Sequence, residues 1–211
     1  MELLLKPSPV DFEPSARETI APSLSQLVAG LEIEIPGIAA HLRRVARYAA
    51  GLSRQLDLSH RQVARIRRAA GVHDIGKLEM PTGIVNKPAP LSPEEFEIVK
   101  RHAIAGARIV LRRGHGDLAP LVRHHHERFD GRGYPDGLAG EEIPLGARII
   151  AVADTFDAAT SDRPYRAALG HREALELLRA EAGGQLDPGV VAAFCEYYSG
   201  LRVVLLRAFA R

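Results

Sequence analysis

The run SHRQVARIRRAAGVHDIGK, residues 59–77, decides how the chain folds. Ser59 is suited to cap the free N–H groups at a helix start. Val63, Ile66 and Ala70 then recur at helical spacing and lead inward to His73. His73 and Asp74 therefore sit at the buried end of an apolar face. An ionised carboxylate there is costly unless it is paired or coordinates a cation, so the pair says more than either residue alone. Gly76 is expected to break this helix and leave Lys77 pointing toward the same region.

Outward from that run the chain reads as helices. Pro7, Pro9 and Pro14 mark an irregular lead-in. Ile20, Leu24, Leu27 and Leu31 outline a helix over 16–34 whose start Pro22 delays, and Pro36-Gly37 ends it. Ile38, Leu42, Val45, Ala49 and Leu52 form the stripe of the next helix, about 38–56, with His41 beside it. A connection over 78–91 leads to Ser92-Pro93-Glu94-Glu95, which combines an N-cap, a proline at the first helical position and a capping-box glutamate. Phe96, Val99, Ala103, Gly106 and Val110 make the expected inner stripe, with His102 next to it. Asp117 is a candidate cap for a short helix ahead of the histidines. Residues 144–160, PLGARIIAVADTFDAAT, place Leu145, Ile149, Ile150 and Ala153 inside, with Asp154 and Asp157 one turn apart on one face. Further helices are expected over 172–182 and from Asp187-Pro188 onward. Periodicity leaves LRVVLLRAFAR, 201–211, open between strand and helix. The fold class is an all-α bundle.

A second stretch, HHHERFDGRGYP at 124–135, bears on chemistry. Imidazoles bind first-row metals, and glycines let a backbone fold close to a ligand. Taken alone it reads equally well as a surface histidine run followed by a loop. The His73-Asp74 pair some fifty residues earlier tips the balance. Successive helical residues point about 100° apart, so His125 and His126 are the expected ligands and His124 is structural or exposed.

Bulk properties exclude other classes. The chain has 211 residues, enough for one domain with a real core. Its 28 basic and 26 acidic residues nearly balance, which argues against binding a nucleic-acid polymer. The single cysteine, Cys195, permits no internal disulfide and reads as a helix core position. No window of about eighteen uncharged apolar residues offers a membrane span. A soluble cytoplasmic protein is expected.

Counted together, the inward candidates are His41, His73, Asp74, His102, His125, His126 and Asp154, from five separate segments. Five imidazoles and two carboxylates suffice for two divalent metal ions, with Asp74 bridging. Absent thiolates argue against structural zinc, and mixed nitrogen and oxygen donors suit iron or manganese. Such a pair promotes in-line displacement at phosphorus, and Lys77, Arg163 and Arg166 could neutralise phosphate charge. The bland alternative for Ser161–Arg166 is an exposed salt-bridged turn.

These residues also match a family. The chain resembles the HD-GYP subgroup of the HD-domain metal-dependent phosphohydrolases, through His73-Asp74-Ile75-Gly76-Lys77, His125-His126-Glu127, Asp130-Gly131-Arg132-Gly133-Tyr134-Pro135, and Val152–Asp157 followed by Arg163-Pro164-Tyr165. Gly184–Pro188 fits the closing motif. The resemblance divides the chain into a lead-in at 1–23, a catalytic domain of HD-domain helices with C-terminal HD-GYP helices at 24–200, and a tail at 201–211. It implies a phosphodiesterase that opens cyclic di-GMP to pGpG, and in some members on to GMP. It implies that the seven inward candidates are the metal ligands and that Lys77 contacts the scissile phosphate. Tyr134 would line the nucleotide pocket, Asp157, Arg163 and Arg166 would bind or orient substrate, and Glu127 would orient a ligand. Where some members carry a glutamate for a third metal, this chain has Gly37, with Glu34 as the nearest substitute, so a two-metal site is expected. The lead-in is too short for a sensory domain, which points to a stand-alone enzyme or to regulation by a sensory or diguanylate cyclase partner; a homodimer stays open. Other readings are a phosphohydrolase for another cyclic dinucleotide or nucleotide, and a catalytically weak cyclic di-GMP receptor.

Overall fold

Three helices begin on the same device. Ser23, Ser59 and Ser92 accept from the N–H groups of Gln26, Gln62 and Glu95, while those side chains accept from the serine N–H groups in return. Each such cap contributes about 1 kcal/mol and fixes where its helix starts. The computed structural model describes residues 21–162 and 167–209, with side chains as far as Gly200. Its helices are α1 (Leu24–Glu34), α2 (Ile38–Gln55), α3 (His60–Ala70), α4 (Thr82–Val85), α5 (Pro93–Lys100), α6 (His102–Arg112), α7 (Ala119–Arg123), α8 (Leu145–Ala159), α9 (His171–Ala180) and α10 (Pro188–Phe209). Short 3-10 turns occur at Ile75–Glu79 and Gly140–Glu142. No strand occurs among the described residues, so the expected all-α class holds.

The α2 stripe is buried as its spacing predicts: Leu42, Val45, Ala49 and Leu52 are all at most 1% exposed. α2 packs against α3 and α8, and α10 packs against both α2 and α8. Tyr48, Phe156, Phe194 and Tyr198 form an aromatic cluster there, with the Phe156 ring 4.8 Å from Tyr198 and 4.9 Å from Phe194. Apolar burial of this kind is worth roughly 1.5–3 kcal/mol per large side chain. No helix among the described residues is long and apolar enough to cross a membrane.

Several boundaries differ from the expectation. α3 stops at Ala70, capped by Gly71, so Gly76 does not break it. Gly76 is instead a close-approach residue: a Cβ there would lie 2.0 Å from the His102 carbonyl oxygen and 2.5 Å from the Gly106 nitrogen. The 3-10 turn after Asp74 can therefore press directly on α6. The single helix expected from Ser92 onward breaks at Arg101 into α5 and α6. Ala103, Gly106 and Val110 on α6 are buried, whereas Phe96 on α5 is 46% exposed. α7 takes Leu118 as its N-cap residue, not Asp117, whose carbonyl accepts from Arg65. The stretch 201–209 is helical, and the tail boundary expected at 200/201 falls inside α10. Residues 1–20, most of the expected lead-in, lie outside the described residues, as do 163–166.

Candidate metal centre

Three histidines reach the interior by one local arrangement. His73, His102 and His125 each bring Nδ1 within 2.7–2.8 Å of the carbonyl oxygen three residues earlier, on Ala70, Val99 and Val122. A carbonyl can only accept, so Nδ1 carries the proton and Nε2 is left with its lone pair. His73 is the clearest case, since its buried Nε2 has no hydrogen-bond partner among the described residues. The Nε2 atoms of His102 and His125 face each other at 3.3 Å with no proton expected between them. Converging buried lone pairs are unfavourable until a cation occupies the space between them.

Asp74 sits where these nitrogens converge. Its Oδ1 lies 3.3 Å from His102 Nε2, and its Oδ2 lies 3.7 Å from His73 Nε2 and 3.9 Å from His41 Nε2. One carboxylate thus addresses two sets of donors. The first comprises Asp74, His102, His125 and His126; the second comprises His41, His73 and Asp74. Within each set one donor atom per residue lies within 4.8 Å of the others. Asp154 joins the second set, with Oδ1 3.3 Å from His41 Nε2 and 3.8 Å from His73 Nε2. All seven predicted ligands are therefore brought together. The donors fit divalent metal ions in both number and type.

Electrostatics prepare the donors. Burial pushes His102 down, pushes His125 well below its ordinary value and takes His126 to about 3, so all three are neutral imidazoles at neutral pH. Burial alone would raise Asp74, but the Lys77 ammonium beside it outweighs that and holds the carboxyl well below the usual range. The Lys77 ammonium lies 2.6 Å from Asp74 Oδ2.

His41 is anchored differently. Its Nδ1 lies 2.8 Å from Asp157 Oδ2, and Arg44 grips the same carboxylate with Nε at 2.6 Å and Nη2 at 2.9 Å. Asp157 is 1% exposed; its carboxylate is held by His41 and Arg44, and the residue borders the cleft that holds Lys77. Arg44 was missed in the sequence. Its signal is the spacing, one helical turn after His41 on α2.

The glycine-rich loop folds back over this centre. A Cβ at Gly133 would lie 2.3 Å from the Arg128 nitrogen, so the loop can approach this closely only with glycine there. The Tyr134 ring lies 4.9 Å from His126, tilted by 30°. Glu127 fixes the loop rather than a ligand, accepting from the Asp136 N–H at 2.7 Å. Asp136 is in turn gripped by Arg123 and by His124. Within a third group of possible donors, His124, Glu127 and Asp136, the Asp136 carboxylate is taken up by an ion-pair clasp with Arg123 and His124. Arg163 and Arg166 lie outside the described residues. Gly37 caps α2 with φ of 91°, and Glu34 accepts from the Thr82 hydroxyl. Neither Glu34 nor its neighbour Glu32 joins a candidate donor group among the described residues.

A family model described as an HD domain matches residues 26–190. The chain belongs to the HD-domain family. Its DGRGYP run at 130–135 puts it in the HD-GYP subgroup. Among curated relatives, it is 40% identical over 196 residues to the cyclic di-GMP phosphodiesterase response regulator RpfG of Xanthomonas campestris, covering 92% of this chain and 51% of that one. It is also 40% identical over 164 residues to the 3'3'-cGAMP-specific phosphodiesterase 3 of Vibrio cholerae, covering 77% and 36%. This HD-domain chain thus spans about half or less of the relatives it matches. Among solved structures it is similar in fold to Bd1817, an HDG"Y"P protein from Bdellovibrio bacteriovorus, with a TM-score of 0.64 at 21% identity, covering 84% of this chain and 58% of that one.

Proposed function

We propose that this HD-GYP chain is a cyclic di-GMP phosphodiesterase that uses two divalent metal ions, iron or manganese. The observation that carries the reading is the division of Asp74, whose two oxygens address two separate sets of imidazoles. Two histidine-rich donor sets that share one carboxylate would suit a pair of divalent ions of the kind that promotes phosphodiester hydrolysis. His41, His73, Asp74, His102, His125, His126 and Asp154 hold the metals in this reading. The ions would supply Lewis-acid charge and would acidify water at the scissile phosphate.

The chain's own residues do the rest. Lys77, next to Asp74 on the wall of a cleft of about 930 Å³, is placed to neutralise a phosphate oxygen. Asp157 and Arg44 hold His41 so that Nε2, and not Nδ1, faces the centre. Tyr134 packs its ring against His126 on one side of the ring cluster. Burial and the nearby Asp74 and Asp154 carboxylates raise its phenol, so it stays neutral. The single cysteine is consistent with action in the cytoplasm.

A second substrate is raised by one observation: the Vibrio cholerae relative named for 3'3'-cGAMP is 40% identical, as is the Xanthomonas campestris relative named for cyclic di-GMP, though over 164 residues against 196. The test is anaerobic turnover of both cyclic dinucleotides by iron- or manganese-loaded protein, with products resolved over time. Formation of pGpG or GMP, abolished by Asp74→Ala, is expected. Tight binding without turnover would make the chain a receptor instead.

A further inference from the structure

Two clefts meet at the candidate metal centre, and Tyr134, His126 and Asp154 belong to the walls of both. The larger holds Lys77 and opens along α2. The smaller, about 440 Å³, lies on the far side of the Tyr134 ring and is lined by Phe96, Lys100, Arg132 and Gln185. A cyclic dinucleotide seated with one phosphate at the metals extends a nucleoside to either side. Two clefts sharing one wall suit such a substrate.

Phe96 is the unusual residue here. It follows the spacing of an inner stripe yet is 46% exposed, and few large apolar side chains of the described residues are exposed to that extent. Its ring stands at 86° to Tyr134 with centroids 6.2 Å apart. Lys100 places its ammonium 5.4 Å from the Phe96 centroid and 5.9 Å from the Tyr134 centroid. The two rings form a corner: a flat base laid on one meets the other edge-on, an arrangement aromatic systems favour. The ammonium is ion-paired with Glu97, so to reach a phosphate or a base carbonyl the lysine exchanges that exposed partner for the ligand.

We propose that the smaller cleft is a purine subsite in which Phe96 and Tyr134, with Lys100 between them, receive one base of the cyclic dinucleotide. This rests on the function proposed above for the substrate's identity, but the subsite can be probed without it. The probes are guanosine 5'-monophosphate and ribose 5-phosphate, which share a phosphate and a ribose and differ in the base. Their binding to the metal-loaded chain is measured by titration calorimetry.

The unaltered chain is expected to bind the nucleotide more tightly. Phe96→Ala should weaken nucleotide binding by roughly fivefold to a hundredfold, the range for loss of one aromatic–base stack. It should leave ribose 5-phosphate binding unchanged. Phe96→Trp should retain the preference, and Phe96→Leu, similar in bulk but lacking a π-face, should lose most of it. Equal affinity for the two probes in the unaltered chain, or a preference that survives in Phe96→Ala, overturns the subsite. Turnover of cyclic di-GMP, followed on the same preparations, separates the two readings: a base preference without turnover keeps the subsite and defeats the hydrolase, and turnover without a base preference does the reverse.

Discussion

The two halves of the metal centre are built on different supports. In the first half, His102 and His125 are at most 1% exposed, and both lean on backbone carbonyls of the helix turns that precede them. In the second half His73 does the same, but His41 is partly open to solvent and leans on a side chain, Asp157, which Arg44 clamps. A backbone support comes with the fold and survives any substitution that leaves the helix intact. A side-chain support can be altered on its own. The first half is therefore the more closed seat, although its His126 is partly exposed, and the second is the more open one, whose affinity for metal is adjustable; His102 and His126 of the first and His41 of the second all line the larger cleft beside Lys77.

The largest effect falls on the residue the halves share. Asp74→Ala removes an oxygen donor from each, so metal content should fall close to zero and phosphodiesterase activity by a thousandfold or more, on the order of what lost electrostatic stabilisation costs. Metal analysis beside turnover checks this. Retention of one ion per chain would mean that the closed seat does not need the bridge. Next in size is Asp157→Asn, which should weaken metal binding in the open half by roughly ten- to a hundredfold, the usual cost of losing the support behind a histidine ligand. Competition with a chelator should then show one weakened ion and one unchanged. Equal weakening of both would break the distinction between the halves. Arg44→Ala should act in the same direction and more weakly, because Asp157 keeps its contact with His41.

Much of this arrangement was legible in the sequence, and the reason is local. His73 and His125 stand near helix ends that apolar spacing and glycine make visible, and His102 lies beside an apolar stripe although the break in front of it at Arg101 was not visible, so their convergence could be read before any packing was known. The expectation that Phe96 faces inward followed from the same spacing and was wrong, because a one-residue break at Arg101 releases α5 from the register of α6. The hold of Asp157 on His41 went unread because His41 and Arg44 lie more than a hundred residues away from it in sequence. No local pattern reports such a pairing. Gly76 was noticed for the right motif and the wrong reason: helix breaking is a property of sequence, whereas contact with the His102 carbonyl belongs to the packed protein. Gly76→Ala should therefore destabilise the chain by about 1–3 kcal/mol, the range for overpacking, measured by urea unfolding. An unchanged midpoint would show that α6 can move away from the turn freely.

The smallest effect belongs to the clasp under the glycine-rich loop, which touches neither half. Arg123 first, and then His124, draw the Asp136 carboxyl down to about 2. A carboxyl lowered in the folded state stabilises fully above its unfolded value of about 3.9 and loses that contribution as pH falls through the folded one. The clasp therefore contributes a constant amount from pH 7 to about pH 5, and it is lost between about pH 4 and pH 2. Arg123 and Asp136 are both 33% exposed, so screening limits the ion pair to about 0.5–1 kcal/mol. Asp136→Asn should lower stability in urea by that amount, equally at pH 7 and pH 5, and the difference should shrink in high salt. Metal content should not change. Loss of an ion from Asp136→Asn would tie the loop to the closed seat through His125 and His126, and the two halves would then differ in more than the support behind one histidine.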